Sequence, residues 1–364
     1  MKIIHCADMH LDSKMTANLT KDQARERKGE ILRTFAKMIE YAKNNHVTAI
    51  IIAGDMFDTR NVSVTARNLV TDLIWKNPEI DFLYLRGNHD TNNFLSQMEE
   101  RPENLCVFQE NWVTYTYDQV AISGIELNAE NALTAYNSLV LDGEKFNIVT
   151  MHGQIAGYKS KDNAEVISLD DLKNKNIDYL ALGHVHSFQM EQLDNRGVYC
   201  YPGCLEGRGF DECGPKGFVV LDIDTRTRTA TTEFVSVAAR TLYTLPVDVT
   251  GVHTTQDVAE RIEQTIAQTG IPSTSLVKLL LQGEVDVESE INTEFLSEQF
   301  AEYFYFIKIY DETKLLINYT DYANDISLKG EFIRLVQASD LSEEEKSLVI
   351  RTGILALQGE EISL

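Results

Sequence analysis

Leu85-Arg86-Gly87-Asn88-His89-Asp90 follows the apolar run Phe82-Leu83-Tyr84-Leu85. The run predicts a buried strand, and three polar, chemically capable side chains then stand in a row behind one glycine. Glycine takes bends closed to other residues, so Asn88, His89 and Asp90 are expected to leave the strand end pointing into a shared space. An ordinary turn would carry the same residue types, because Gly, Asn and Asp are turn formers anyway. Repetition separates the two readings: four other strands of this chain end the same way.

Lys2-Ile3-Ile4-His5-Cys6-Ala7 predicts a short strand running into Asp8-Met9-His10. Val47 to Ala53 is apolar almost throughout, as strands buried on both faces are, and it ends in Gly54-Asp55-Met56-Phe57-Asp58. Phe146 to Met151 ends at His152, and Asp178 to Leu182 runs into Gly183-His184-Val185-His186. In open α/β sheets, sites form at the carboxyl ends of the strands. One histidine behind a strand is an ordinary hydrogen-bonded residue. Five strand ends of the same kind are a site.

Aspartate and histidine without thiolate suit Mn, Fe, Zn or Co. An aspartate can bridge two cations, and an asparagine oxygen adds a ligand without adding charge. Two cations about 3.5–4 Å apart can hold a phosphate oxygen, acidify a water and neutralise an in-line transition state. A histidine beside them can donate to the leaving oxygen. The residues therefore point to a two-metal hydrolase.

Asp-x-His, Gly-Asp-x-x-Asp, Gly-Asn-His-Asp, a solitary His and Gly-His-x-His occur in this order across residues 8 to 186, and together they resemble the calcineurin-like metallophosphoesterases. That resemblance implies one metal on Asp8, His10, Asp55 and His186, with Asp55 bridging to a second on Asn88, His152 and His184. It implies that His89 meets the scissile phosphate or leaving group, with Asp90 orienting it. The stretches His5-Cys6-Ala7-Asp8-Met9-His10-Leu11-Asp12-Ser13 and Tyr201-Pro202-Gly203-Cys204-Leu205-Glu206-Gly207-Arg208-Gly209 are similar to SbcD-like DNA repair exonucleases of the Mre-type double-strand-break nuclease family. The likeness runs to about residue 224 and is looser beyond, through Leu328-Lys329-Gly330-Glu331-Phe332.

From the family come further expectations. The fold is a four-layer α/β/β/α sandwich with a smaller C-terminal α/β domain. The activity is a dinuclear-metal DNA exonuclease, with Mn as the metal and Fe, Zn or Co as alternatives. The partners are DNA, a second copy of the chain and an SbcC-like coiled-coil ATPase. Asp58 stands where archaeal and eukaryotic members carry a histidine, so no role tied to that histidine transfers. Two rivals remain: a phosphodiesterase or phosphatase for a small nucleotide or phosphoprotein, and a binding subunit with vestigial catalysis.

At 364 residues the chain is long for one core. A nuclease domain is expected over 1–240, a capping α/β domain over 241–338, and a partner-docking helix over 339–364. The net charge is −23, of which −14 falls after residue 240. Phosphate contacts want Lys and Arg, so any grip on DNA must be local or supplied by metal or partner. No run approaches the roughly 18 apolar residues of a membrane helix, and no leader is visible at the start. The five cysteines contain no CxxC pair, and Cys200, Cys204 and Cys213 lack a fourth zinc ligand. A reduced, cytoplasmic protein is expected. Arg25, Arg27, Lys28, Arg33 and Lys37 read as a solvated helix face ahead of a DNA track. In Tyr303-Phe304-Tyr305-Phe306, strand alternation sends half the rings into a core. His46 and His253 carry no assignment.

Overall fold

The computed structural model describes all residues except 14, 16–18, 59–61, 91–92, 99, 133, 157–165, 288 and 359–364. The chain divides into two units, Met1–Thr241 and Leu242–Leu364.

Side-chain alternation along the strands builds the layers of the first unit. In β1 (Lys2–Cys6), Ile3 and Ile4 are both fully buried, each in a different core. β2 (Val47–Ala53) and β3 (Asp81–Leu85) repeat the arrangement, which is why apolar residues stand side by side in all three instead of alternating with polar ones. They pair in parallel with one another and with β4 (Leu105–Val107). The chain then builds a second sheet from β5 (Val113–Tyr117), β6 (Val120–Gly124), β7 (Phe146–His152), β8 (Tyr179–Gly183), β9 (Gln189–Gln192) and β10 (Val198–Tyr201). It returns to the first sheet with β11 (Gly217–Asp224) and β12 (Thr229–Ser236). Among the described residues each sheet has six strands, in the orders β12-β11-β1-β2-β3-β4 and β9-β10-β8-β7-β6-β5.

Ile3, Ala49, Ile51 and Leu83 share one core with Val120, Ile122, Phe146, Ile148 and Ala181, so the two sheets face each other. The alternate set, Ile4, Ile50, Ile52, Phe82 and Tyr84, packs beneath α1 (Lys21–Asn44) and α2 (Val64–Trp75) through Ile31, Phe35, Met38 and Val70. Burial of each such side chain stabilises by roughly 1.5–3 kcal/mol. Over the second sheet the helical layer is thin. Single turns, α3 (Ala135–Ser138) and α4 (Leu169–Leu172), lie in the core that covers Val149, Met151, Leu180 and Leu182. The pattern from Ala129 to Leu139 predicts a longer helix. The chain ahead of α3 forms turns instead, with Asn128 Oδ1 accepting from the backbone N–H groups of Glu130 and Asn131. The layering is α/β/β/α.

The basic run on α1 is not one solvated face. Arg27 is fully buried, donating to Glu30 at 2.6 Å, to Glu206 at 3.1 Å and to the Gly207 carbonyl at 2.8 Å. Two carboxylates make burial of that guanidinium tolerable.

In the second unit, β13 (Leu242–Asp248), β14 (Leu276–Gln282) and β15 (Phe306–Asp311) pair in parallel. Val258 and Ile262 of α5 (Thr255–Thr269) and Leu296 of α6 (Thr293–Gln299) pack on Val277, Leu279 and Leu281. The sequence pattern predicts a helix from Thr293 to Tyr303; α6 stops at Gln299, with Phe300 as the cap and Phe304 in the core. α7 (Leu328–Gln337) and α8 (Glu343–Gln358) meet through Ile333, Val336, Ile350 and Ile354. Leu348 and Val349 stay exposed; the side chain of Leu355 and residues 359–364 lie outside the described residues. Among the described residues, no helix is long and apolar enough to cross a membrane.

Candidate metal centre

The five strands singled out by sequence are the middle of both sheets. β1, β2 and β3 are neighbours in the first, and β7 and β8 are neighbours in the second. Their carboxyl ends carry Asp8 and His10, Asp55, Asn88 to Asp90, His152, and His184 with His186. Beyond the strands, the first two segments stay paired: the Asp8 N–H donates to the Gly54 carbonyl and the His10 N–H to the Asp55 carbonyl, both at 3.0 Å. The backbone is strained there. Asp8, His10, Asp55 and His184 have φ of 51°, 45°, 52° and 108°. Non-glycine residues held in this region cost on the order of 1–3 kcal/mol each and persist only where the surroundings over-determine them.

The histidines are aimed. The Nδ1 of His152 donates to the Ala53 carbonyl at 2.8 Å. The Nδ1 of His186 lies 2.6 Å from Glu212 Oε1, and that of His10 lies 3.2 Å from Asp58 Oδ1. Each outer contact turns the ring so that Nε2 points inward, the usual second contact of a metal-ligating histidine. His152 Nε2 then lies 3.0 Å from Asn88 Oδ1 and 3.4 Å from Asp55 Oδ2. His10 Nε2 lies 3.3 Å from His186 Nε2 and 3.9 Å from Asp55 Oδ2. Asp8 accepts from the His184 N–H with both oxygens at 2.9 Å, while the His184 ring stands edge-on to His152 with centroids 5.6 Å apart. Two groups, Asp8 with His10 and His186, and Asp8 with Asp55 and His152, bring their ligand atoms within 4.8 Å of one another. Ring nitrogens and carboxylate oxygens converging at these distances could hold a cation, so the donor set fits the metals that the residue types suggest.

Burial disfavours the charged form of His152, but the Asp55 carboxylate outweighs it and lifts the imidazole to about 9. A field that holds a proton this firmly also favours a cation. Burial pulls His10 and His184 below the ordinary histidine value. His186 is raised, because Glu212 and the nearby acids overcome its burial.

Gly87 is needed for room rather than for its bend. A Cβ there would sit 2.1 Å from Asp55 Oδ1, and one at Gly54 would sit 2.1 Å from His152 Nδ1. Asp90 takes other partners than the resemblance implies. Its carboxylate accepts from the N–H groups of Gly87, Met56 and Phe57 at 3.0, 3.2 and 3.0 Å, which stitches the β3 loop to the β2 loop. Burial and the nearby Asp55 lift it to about 6. The carboxylate beside the His89 ring is Asp58, whose Oδ1 lies 3.6 Å from His89 Nδ1. The His89 N–H donates to Asp55 Oδ1 at 2.9 Å, leaving a side chain 36% exposed at the mouth of the site.

Arg208 and Glu212 are participants that sequence reasoning left without a role. Arg208 bridges Glu212 at 3.0 Å and Asp58 at 3.6 Å, linking the contacts behind His186 and His10. The spacing of four between them is a usable signal, but it falls in a Gly-rich loop with no periodicity to flag it.

The profile of the calcineurin-like phosphoesterase family matches residues 1–188. YhaO, a metallophosphoesterase of Bacillus subtilis, is 28% identical over 237 residues, which is 61% of this chain and 57% of YhaO. The DNA double-strand break repair protein Mre11 of Sulfolobus acidocaldarius is 30% identical over 204 residues, 53% of this chain and 52% of that protein. A subunit of the SbcCD nuclease of Staphylococcus saprophyticus is 27% identical over 260 residues, 61% of this chain and 66% of that protein. The chain thus spans between about half and two thirds of the length of these relatives.

Proposed function

The chain belongs to the calcineurin-like phosphoesterase family, and from that premise we propose that it is a dinuclear-metal phosphodiesterase that trims DNA ends. One observation carries the reading: a single oxygen, Asp55 Oδ2, lies between His152 Nε2 at 3.4 Å and His10 Nε2 at 3.9 Å. Asp8, His10, Asp55 and His186 would hold one cation, and Asp55, Asn88, His152 and His184 would hold the other. Two divalent ions there would neutralise charge on the phosphoryl oxygens and acidify the attacking water. His89 stands at the open side and protonates the leaving oxygen. Asp58 steadies the imidazolium from behind, and Asp90 fixes the loop that carries it.

Mn is the proposed metal, with Fe, Zn and Co as alternatives for the same donors. DNA as substrate draws support from the Mre11 and SbcCD relatives, whose names record break repair and nuclease activity. A second copy of the chain and an SbcC-like ATPase are the proposed partners, in the cytoplasm, with the exposed Leu348 and Val349 as the docking face. The charge of −23 makes such a partner useful, since duplex binding is dominated by cationic contacts to phosphate. Purified protein is incubated with Mn and end-labelled duplex DNA, beside bis-p-nitrophenyl phosphate. Release of mononucleotides is expected. Turnover of the small diester alone would favour a small-molecule phosphodiesterase, and turnover of neither a non-catalytic subunit.

A further inference from the structure

Beside the candidate metal centre lies a pocket of about 220 Å³, whose lining includes Asn88, Asp90 and His152 together with Arg86, Glu110, Glu126 and Asn128. Asn88 and His152 also face the proposed second cation, so the pocket is continuous with the place of the reacting phosphate. Its Arg86 is held flat. Nε donates to Glu126 Oε1 at 2.8 Å and Nη2 to Oε2, and a two-pronged pair fixes the plane of the guanidinium. Glu126 is buried and Arg86 is 24% exposed. The rim is tied down as well: Asn131 Nδ2 donates to the carbonyls of Glu110 and Glu126, both at 2.8 Å.

We infer that this pocket holds the nucleoside attached to the scissile phosphate, an inference that rests on the phosphodiesterase reading and deepens it. Three carboxylates, Asp90, Glu110 and Glu126, against one arginine oppose a further phosphate, so the occupant is the uncharged part of a nucleotide. A flat, pinned guanidinium is a stacking surface for a base, which a lysine is not. Glu110 and Asn128 offer a carboxylate and an amide for sugar hydroxyls and base N–H groups. The volume admits one nucleoside, which suits removal of nucleotides singly.

The test uses the full chain with Mn and two esters that release the same chromophore. Thymidine 5′-(p-nitrophenyl phosphate) carries a nucleoside, and bis-p-nitrophenyl phosphate does not. The readout is the ratio of kcat/KM for the first over the second. Arg86→Lys keeps a charge on Glu126 but removes the flat face; Glu110→Ala combined with Asn128→Ala changes the rim and leaves the buried pair intact, should the first variant fold poorly. Each is expected to lower the ratio about tenfold, equivalent to about 1.4 kcal/mol of lost binding. A ratio unchanged in well-folded variants overturns the pocket assignment and leaves the phosphodiesterase reading standing. A wild-type protein that cleaves neither ester overturns that reading, and this inference with it.

Discussion

Both units use parallel strands covered by helices, and both place acids at strand ends, yet among the described residues only the first gathers its acids and histidines into a group that could hold a metal. In the second unit, Asp248 ends β13 and its carboxylate accepts from the Thr250 N–H at 2.9 Å. Asp311, at the end of β15, accepts from Thr313 and pairs with Arg351. These acids are spent on their own turns. In the first unit, Asp8 and Asp55 are buried at 0% and 1% exposure with ring nitrogens aimed at them. The second unit is the more acidic part, with −14 after residue 240 against −9 before it. A metal centre needs buried lone pairs held against one another, and acidic composition alone does not supply them.

Paired substitutions in the two units can break this comparison. The largest effect is expected at histidine. His89→Ala should lower Mn-dependent turnover roughly 10²–10⁴-fold, the range for loss of a general acid, while metal content is retained. His253→Ala in the second unit should change neither. Equal rates for both variants in a diester assay would take His89 out of the mechanism.

Glycine gives the next contrast. Gly87→Ala drives a methyl group toward Asp55, 2.1 Å away, and should cost about 10²-fold in turnover, as small displacements of catalytic groups do. Gly270 has a left-handed backbone, with φ of 64°, and nothing lies within 4 Å of an added Cβ. Gly270→Ala should therefore destabilise by about 1–2 kcal/mol in a denaturation curve and leave turnover alone.

Carboxylates near His89 follow. Asp58→Asn should lower turnover about tenfold, or about 1.4 kcal/mol of barrier, with little change in stability. Asp90→Asn should act mainly on stability, by about 1–3 kcal/mol, because an amide replaces an acceptor of three backbone N–H groups. Steady-state rates and denaturant midpoints separate the two. If the outcomes are exchanged, Asp90 orients His89 after all.

The smallest effect concerns acid. His5 is fully buried, with Nδ1 2.9 Å from the Tyr179 hydroxyl, and burial pulls it down to about 3. It stays neutral in the fold while the unfolded chain takes up a proton below about 6.5. Stability should therefore fall as pH drops from about 6.5 toward 3, by up to about 1.4 kcal/mol per pH unit. His5→Phe should flatten that slope in unfolding curves measured between pH 6 and 4. The second unit has no buried histidine among its described residues, so its own unfolding should not share this dependence.

Much of the site was legible because each motif is local. A strand end and the two to five residues after it carry Asp8 and His10, Asp55 and Asp58, or His184 and His186. What holds those residues was not legible. The contact from Glu212 to His186 crosses 26 residues and that from Asp58 to His89 crosses 31, from loops without periodicity. The value of Gly87 lies in the Asp55 carboxylate packed against it, and no local pattern reports a missing Cβ. The helical pattern did not report that α3 starts late, at Ala135, or that α6 ends early, at Gln299, where the Phe300 ring is drawn into the core.

The central claim is that two cations share the ends of these five strands. Protein loaded with excess Mn under anaerobic conditions, cleared of free metal and analysed for Mn, tests it most directly. Two Mn per chain are expected, falling in Asp55→Ala, where the shared oxygen is gone. One or none in the wild type would contradict the dinuclear centre.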